Sequence, residues 1–348
     1  MTIPFELEFV NGLSGDPAVY LFNPRMAESL LFDLGSLDAF SHRKLLKVRN
    51  VFVSHTHVDH FIGFDRLLRI NIPHRREVRL FGPKGFIDQV YHKIKAYTWN
   101  LLEPGQISFE VVEIDDRCIT RAKLVNDNGF EPTRSKEQLT TSPGDPILIY
   151  HETAGVHIYA AILDHGTPSV AYKYVLPPRT QVDIESIKRE GLTEGPWIRE
   201  VQMCEATGEN RSIEVGGKKL FTKDLAKKFL IPLDPISVGY ITDIAFNKAN
   251  VTKAQKLFSG ISMLIGETSF LDDDRARAFE KKHLTTKQTA LIAATMGAKE
   301  FRPFHFSNIY KDQPENEAEA QKFFETFKQF DHETILKAVD EELVEPRL

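Results

Sequence analysis

The chain has 348 residues, 42% of them hydrophobic and 27% charged, with a net charge of -5. That length buries a large core, as one α/β domain or two smaller ones, and the composition excludes a mainly disordered chain. The acidic balance excludes a wholesale electrostatic footprint for nucleic acid and leaves room only for a local basic patch.

Cys118 and Cys204 are the only cysteines, so neither a disulfide framework nor a cysteine zinc cluster is available. The start of the chain, "MTIPFELEFVNG", carries Glu6 and Glu8 where a signal peptide needs a basic start and an apolar run. No apolar run reaches membrane-spanning length, and the expectation is a cytoplasmic protein without a membrane partner.

In chain order, short apolar runs read as strands: "AVYLF", "SLLFDLG", "VRNVFVS", "VRLFGP", "SFEVVEI", "PILIYHE" and "VHIYAAILDHG". Helical spacing appears at Phe86–Trp99, Thr286–Gly297 and Asn316–Phe330, and Thr285 with Gln288 fits a capping box for the second of these. The class is α/β with mixed sheets. From about Pro177 to Pro235 polar residues dominate, which reads as an excursion from the sheet inside one domain spanning residues 1–348. Between Glu113 and Thr141 a polar stretch, "RAKLVNDNGFEPTRSKEQLT", reads as an insertion able to reshape the mouth of a site.

The densest chemistry lies in "VFVSHTHVDHFIGFDRLL", where the strand gives way to His55, His57, Asp59 and His60 before a helix. Imidazole and carboxylate suit zinc, manganese or iron. Four groups so close cannot all bind one ion and leave it an open position, so ligands alternating onto two neighbouring ions make better geometry. A dinuclear site needs further ligands held rigidly at strand ends. His165 after "IYAAILD", Asp243 after "ISVGYIT" and His305 after "EFRPF" meet that demand.

"SHTHVDH", "LDHGTPSVAYKY", "YITD", "GETSF", "HLTTKQTA" and "HFSNIY", in that order, resemble the ribonuclease Z branch of the metallo-β-lactamase fold, over about Phe32 to Tyr310. The resemblance implies a four-layered αββα sandwich with an excursion or arm inserted between two core strands. It implies two zinc ions, one on His55, His57 and His165, the other on Asp59, His60 and His305, with Asp243 bridging. It assigns His283 as a catalytic histidine near the scissile phosphate, oriented by Glu267. Asp59 becomes the acceptor of the proton from a water that the two ions activate. Asp33 of "LLFDLG" would orient a ligating imidazole. Ser307 and Tyr310 would contact substrate, and the protein would act as a homodimer.

Several segments depart from the family. "FVNGLSGDPAVYLF" lacks its Gly-Thr-Gly turn, "DLGSLDAF" lacks its Gly-Glu-x-Thr-Gln, and Ile309 stands where it carries a basic residue. The excursion corresponds to the substrate arm and carries "EGPWI", but Leu176 to Phe229 holds ten Lys and Arg against nine Asp and Glu. That is no basic arm by charge count. Trp197 there either stacks on substrate or tethers a partner. The leading expectation is a metal-dependent phosphodiesterase of the ribonuclease Z type, cutting the 3′ trailer of precursor tRNA. A phosphodiesterase on small substrates such as cyclic nucleotides is the runner-up, and a non-catalytic RNA- or protein-binding member is a minor alternative.

Overall fold

The structure, a computed structural model, describes residues 5–24, 29–151, 155–176, 178–310 and 315–344. Glu152, which ends one stretch read from sequence, Pro177, which opens another, and Met1–Pro4 lie outside the described residues.

The first sheet takes eight strands in chain order: β1 (Glu6–Phe9), β2 (Val19–Phe22), β3 (Ser29–Phe32), β4 (Val48–Phe52), β5 (Glu77–Pro83), β6 (Ser108–Ile114), β7 (Cys118–Val125) and β8 (Thr133–Gln138). Pairing is parallel from β3 to β6 and antiparallel at both flanks. Helices α1 (His42–Leu45), α2 (Val58–Phe61), α3 (Phe64–Asn71) and α4 (Phe86–Lys95) lie between these strands. Phe64, Leu67, Phe86 and Val90 share one apolar core with Val51, Leu80 and Val111 of the sheet.

The polar stretch expected as an insertion is instead the pair β7 and β8. Along β7, Ile119, Ala122 and Leu124 are buried, whereas every residue of β8 is exposed. β8 has no buried face, so period-2 patterning could not reveal it. It forms by backbone pairing to β7, and Arg134, Lys136 and Glu137 put charge on the sheet edge, which discourages pairing with another chain. Helix α4 stops at Lys95, short of the expected Trp99, because the Trp99 indole folds back and donates to the Ile94 carbonyl at 2.9 Å.

The second sheet has six strands in the order β18–β17–β16–β11–β10–β9: β9 (Ile147–His151), β10 (His157–Asp164), β11 (Pro168–Leu176), β16 (Ile236–Ile241), β17 (Met263–Glu267) and β18 (Glu300–Phe304). Aromatic rings fill the space between the sheets, with Phe32 stacked on Tyr240 at 5.0 Å and Phe52 against Tyr172 at 5.4 Å. The outer face of the second sheet is covered by α8 (Lys248–Phe258), α10 (Thr286–Thr295), α11 (Glu315–Phe327) and α12 (His332–Glu342). Helix α9 (Arg275–Lys281) precedes α10. The result is the layering helix, sheet, sheet, helix. Thr285 caps α10 through both bonds of a capping box with Gln288.

Residues Val175–Ile236 form a second compact unit. It contains β12 (Arg179–Val182), β13 (Ser212–Val215), β14 (Lys218–Phe221), β15 (Leu230–Leu233), α5 (Ile184–Arg189), α6 (Trp197–Thr207) and α7 (Thr222–Phe229). Its own apolar core is built from Ile187, Val201, Val215, Leu225 and Phe229, and Trp197 packs against it with its indole donating to the Thr193 carbonyl. Among the described residues no helix is long and apolar enough to cross a membrane.

Candidate metal centre

The ligand loop grows out of β4, whose buried Val51 and Phe52 lead into the buried Ser54 and His55. Helix α2 follows and closes against the turn after β3. A Cβ at Gly63 would stand 2.1 Å from the Gly35 carbonyl oxygen, so only glycine allows that approach. Leu34 N–H donates to the His60 carbonyl at 2.9 Å and Gly63 N–H to the Leu34 carbonyl at 2.8 Å, which fixes α2 in place.

Asp33 sits in that turn with φ 59° and is wholly buried. Its carboxylate accepts from Ser54 N–H at 2.6 Å, the Ser54 hydroxyl at 2.8 Å, the Tyr240 hydroxyl at 2.7 Å and His60 Nδ1 at 2.8 Å. This assigns the His60 proton to Nδ1 and leaves Nε2 as a lone-pair donor. His165 is oriented in the same manner, its Nδ1 donating to the Lys282 carbonyl at 2.8 Å.

Asp243, at the end of β16, stands at the middle of the cluster. Its Oδ2 lies 3.4 Å from His60 Nε2, 3.5 Å from His165 Nε2 and 3.7 Å from His55 Nε2. Asp59 Oδ2 lies 3.5 Å from His60 Nε2 and 3.6 Å from His305 Nε2. These separations are long for hydrogen bonds. They match the ~3.3–3.4 Å between neighbouring donors of a tetrahedral ion with bonds of ~2.0–2.1 Å. His57 joins His55, His165 and Asp243 in one group of possible ligands, and Asp59, His60 and His305 form another. Nε2 of His55 and of His60 is buried without a hydrogen-bond partner. Two orphaned imidazole nitrogens among five histidines and two carboxylates fit divalent cations.

A third group of possible ligands, Asp243, Glu267, His283 and His305, is already tied by hydrogen bonds. His305 Nδ1 is 2.8 Å from Asp243 Oδ1, and His283 Nδ1 is 2.8 Å from Glu267 Oε2. Those contacts use up the atoms that a cation would need, so this group is an orienting network. Glu267 is fully buried; Ile244 N–H and the Ser269 hydroxyl also donate to it, both at 3.0 Å.

Backbone and charge both mark the cluster. Asp33, Asp243 and His305 have φ of 59°, 49° and 57°, left-handed conformations that cost roughly 1–2 kcal/mol each outside glycine. Burial pushes the His55 imidazole down to about 2, reinforced by His60, so it remains a neutral donor. Burial also opposes charge on His305, but Asp243 and Asp59 outweigh it and hold the imidazole up at about 10. His283 is raised because Glu267 outweighs burial. The carboxylates thus create a site that favours positive charge.

The cluster opens into a cavity of about 510 Å³ lined by His57, Asp59, His165, Asp243, His283 and His305. Ser307 lines it, but Tyr310 does not. The Tyr310 hydroxyl donates to the Asp274 carboxylate and accepts from Leu271 N–H at 3.4 Å. No described residue of the 121–140 stretch lines the cavity either. Sequence reasoning missed Ser54, Tyr240 and Ser269, which orient the histidines and carboxylates, and Arg277 and Lys281, which line the cavity from α9. Tyr240 reads as a core aromatic and the two cations as a solvated helix face, so only spatial placement exposes them.

Two mixed sheets packed face to face between helices, with imidazoles and carboxylates gathered at strand ends, define the metallo-β-lactamase fold. In sequence the chain is similar to ribonuclease Z. It is 28% identical over 286 residues to ribonuclease Z of Deinococcus radiodurans, covering 81% of this chain and 83% of that one. The structure is similar to human tRNase Z, short form, with a TM-score of 0.52, 18% identity and coverage of 88% and 92%. It also resembles the metallo-β-lactamase fold protein YhfI from Bacillus subtilis, with a TM-score of 0.53, 15% identity and coverage of 93% and 94%. No protein-family model matches the chain.

Proposed function

We propose that the protein is a metal-dependent phosphodiesterase of the ribonuclease Z type that removes the 3′ trailer from precursor tRNA. The similarity to ribonuclease Z supports the substrate class, and the observation that carries the chemistry is His283, held by the buried Glu267, lining the same cavity as His57, Asp59, His165, Asp243 and His305. In this reading His55, His57 and His165 hold one ion, Asp59, His60 and His305 the other, and Asp243 serves both. Zinc is the proposed ion, and manganese or iron suits the same donors. When bound, the ions supply Lewis-acid stabilisation of charge on the phosphoryl oxygens and bring the ionisation of water near neutral pH.

The chain's own groups do the rest. Asp59, partly exposed in the cavity, accepts the proton of the attacking water. Glu267 holds Nδ1 of His283, so Nε2 is the atom available to stabilise the phosphate or to protonate the leaving oxygen. Ser307 contacts the substrate from the cavity wall. The reading takes residues 177–235 as the substrate arm, a homodimer as the working unit and the cytoplasm as the place of action.

Incubating the purified protein with precursor tRNA and with a cyclic nucleotide side by side, with metal content measured on the same sample, tests this reading. Release of the trailer is expected. Cleavage of the cyclic nucleotide with precursor tRNA left intact over long incubation would overturn the RNA assignment. Light scattering on the same sample reads the dimer.

A further inference from the structure

The segment "RARAFEKK" (Arg275–Lys282) puts four cations on and just after α9, and the structure gives them different surroundings. Arg275 is tied to the buried Glu342, with Nε 2.8 Å from its carboxylate. Lys282 lies against Gly166, where an added Cβ would come within 2.8 Å of its Nζ. Arg277 and Lys281 instead line the cavity of the metal cluster. They are four residues apart, so they share one face of α9 with Cβ atoms about 5–6 Å apart.

Neither is neutralised. Arg277 makes no ion pair with a described residue, and its guanidinium lies over the Phe270 ring at 5.8 Å. Phe270 in turn sits 6.0 Å from the His283 ring, so Arg277 is held near the catalytic histidine through an aromatic spacer. Lys281 reaches only Glu280, at 3.8 Å and with both side chains more than half exposed, a surface pair of little strength. Arg277 and Lys281 are the only Lys or Arg among the described residues that line the cavity, so its positive charge for a polyanion comes from α9.

We propose that Arg277 and Lys281 form a subsite for the phosphate that neighbours the scissile one, and that this subsite selects polynucleotides over small phosphodiesters. The proposal rests on the phosphodiesterase reading and names the feature of substrate that the site measures. Arg277 presents a planar fork to phosphate oxygens, and Lys281 adds a mobile point charge one turn away. A cyclic nucleotide or an aryl diester has no second phosphate to occupy the subsite.

The test uses the metal-loaded protein, a hydrolysis-resistant phosphorothioate oligoribonucleotide for binding, and two cleavable substrates, an oligoribonucleotide and bis(p-nitrophenyl) phosphate. In the Arg277→Gln/Lys281→Gln double variant the Kd for the oligoribonucleotide should rise about 10- to 100-fold at low salt. The slope of log binding constant against log salt should become shallower by about 1.4, because two single-strand phosphate contacts are lost. The loss in kcat/KM on the oligoribonucleotide should exceed that on the aryl diester at least tenfold, and the Arg277→Lys/Lys281→Arg swap should restore most of the binding. An unchanged melting temperature checks the fold.

An unchanged Kd and slope, equal losses on both substrates, or a wild type that does not bind the oligonucleotide would overturn the subsite. If the wild type binds with the expected slope, and the variant loses it, but neither substrate is hydrolysed, the phosphodiesterase reading falls while the subsite stands.

Discussion

Asp33, which follows β3 of the first sheet, is joined by a hydrogen bond to Tyr240 of the second. One carboxylate, held in a left-handed turn, accepts from Ser54 and His60 of the segment after β4 and from Tyr240 of β16. In Asp33→Asn an amide replaces one acceptor oxygen, so His60 loses the partner that fixes its proton on Nδ1. Metal affinity should fall about 10- to 100-fold, the usual consequence of removing such a support, as read by competition with a chromogenic chelator. His283 and Asp243 make a sharper pair. His283→Ala should lower kcat about 10²- to 10⁴-fold with metal content unchanged, whereas Asp243→Ala should lose metal as well, both scored by elemental analysis beside turnover. Equal metal loss in the two variants would place His283 among the ligands. At this scale His165, Asp243 and His305 were legible because each closes an apolar run. Tyr240 was not, since a hydroxyl buried in a strand looks like any core aromatic until its partner is seen.

The capping box of α10 governs how His283 is presented, because its N-cap Thr285 lies two residues after it. Thr285 and Gln288 exchange side-chain bonds with each other's backbone at 3.2 and 3.1 Å. Thr285→Ala should lower unfolding stability by about 1 kcal/mol, within the 0.5–2 kcal/mol range for lost N-caps, measured by urea denaturation. Its effect on KM should exceed that of a surface threonine change such as Thr326→Ala. The cap was legible because its chemistry is local in sequence. The central strands were legible for the same reason, their apolar runs marking strands buried on both faces. β8 was hidden because pairing partners create it, and the true end of α4 was hidden because a tryptophan four residues beyond Lys95 supplies the stop.

At the scale of the molecule, the seven candidate ligands come from the loop after β4, from the short helix α2, which takes in Asp59 and His60, and from the ends of β10, β16 and β18. Cation binding therefore cross-links elements of both sheets. An occupied site should stabilise the fold by about 2.7 kcal/mol for each ion whose free concentration is 100-fold above its Kd. Chelator treatment should lower the melting temperature, and returning zinc should restore it. A melting curve indifferent to chelator in a protein shown to be stripped would argue against cations at this cluster. The compact unit over Val175–Ile236 has its own core, with Trp197 packed into it, so neither stacking on substrate nor tethering a partner is needed to account for that side chain.

The backbone contact among three segments beneath the site has a kinetic consequence. Gly35 N–H donates to the Pro17 carbonyl, Leu34 N–H to His60 and Gly63 N–H to Leu34, and added Cβ atoms at Gly35 and Gly63 would both collide with backbone. No local swing of the ligand loop can break these bonds without parting the strands around it. In hydrogen–deuterium exchange the amides of Leu34, Gly35 and Gly63 should therefore trade their protons only on global unfolding, even after the cations have been stripped. Loss of metal would leave the floor of the site shut and protected, so that reloading needs no refolding and should proceed at a rate that denaturant below the unfolding midpoint does not change.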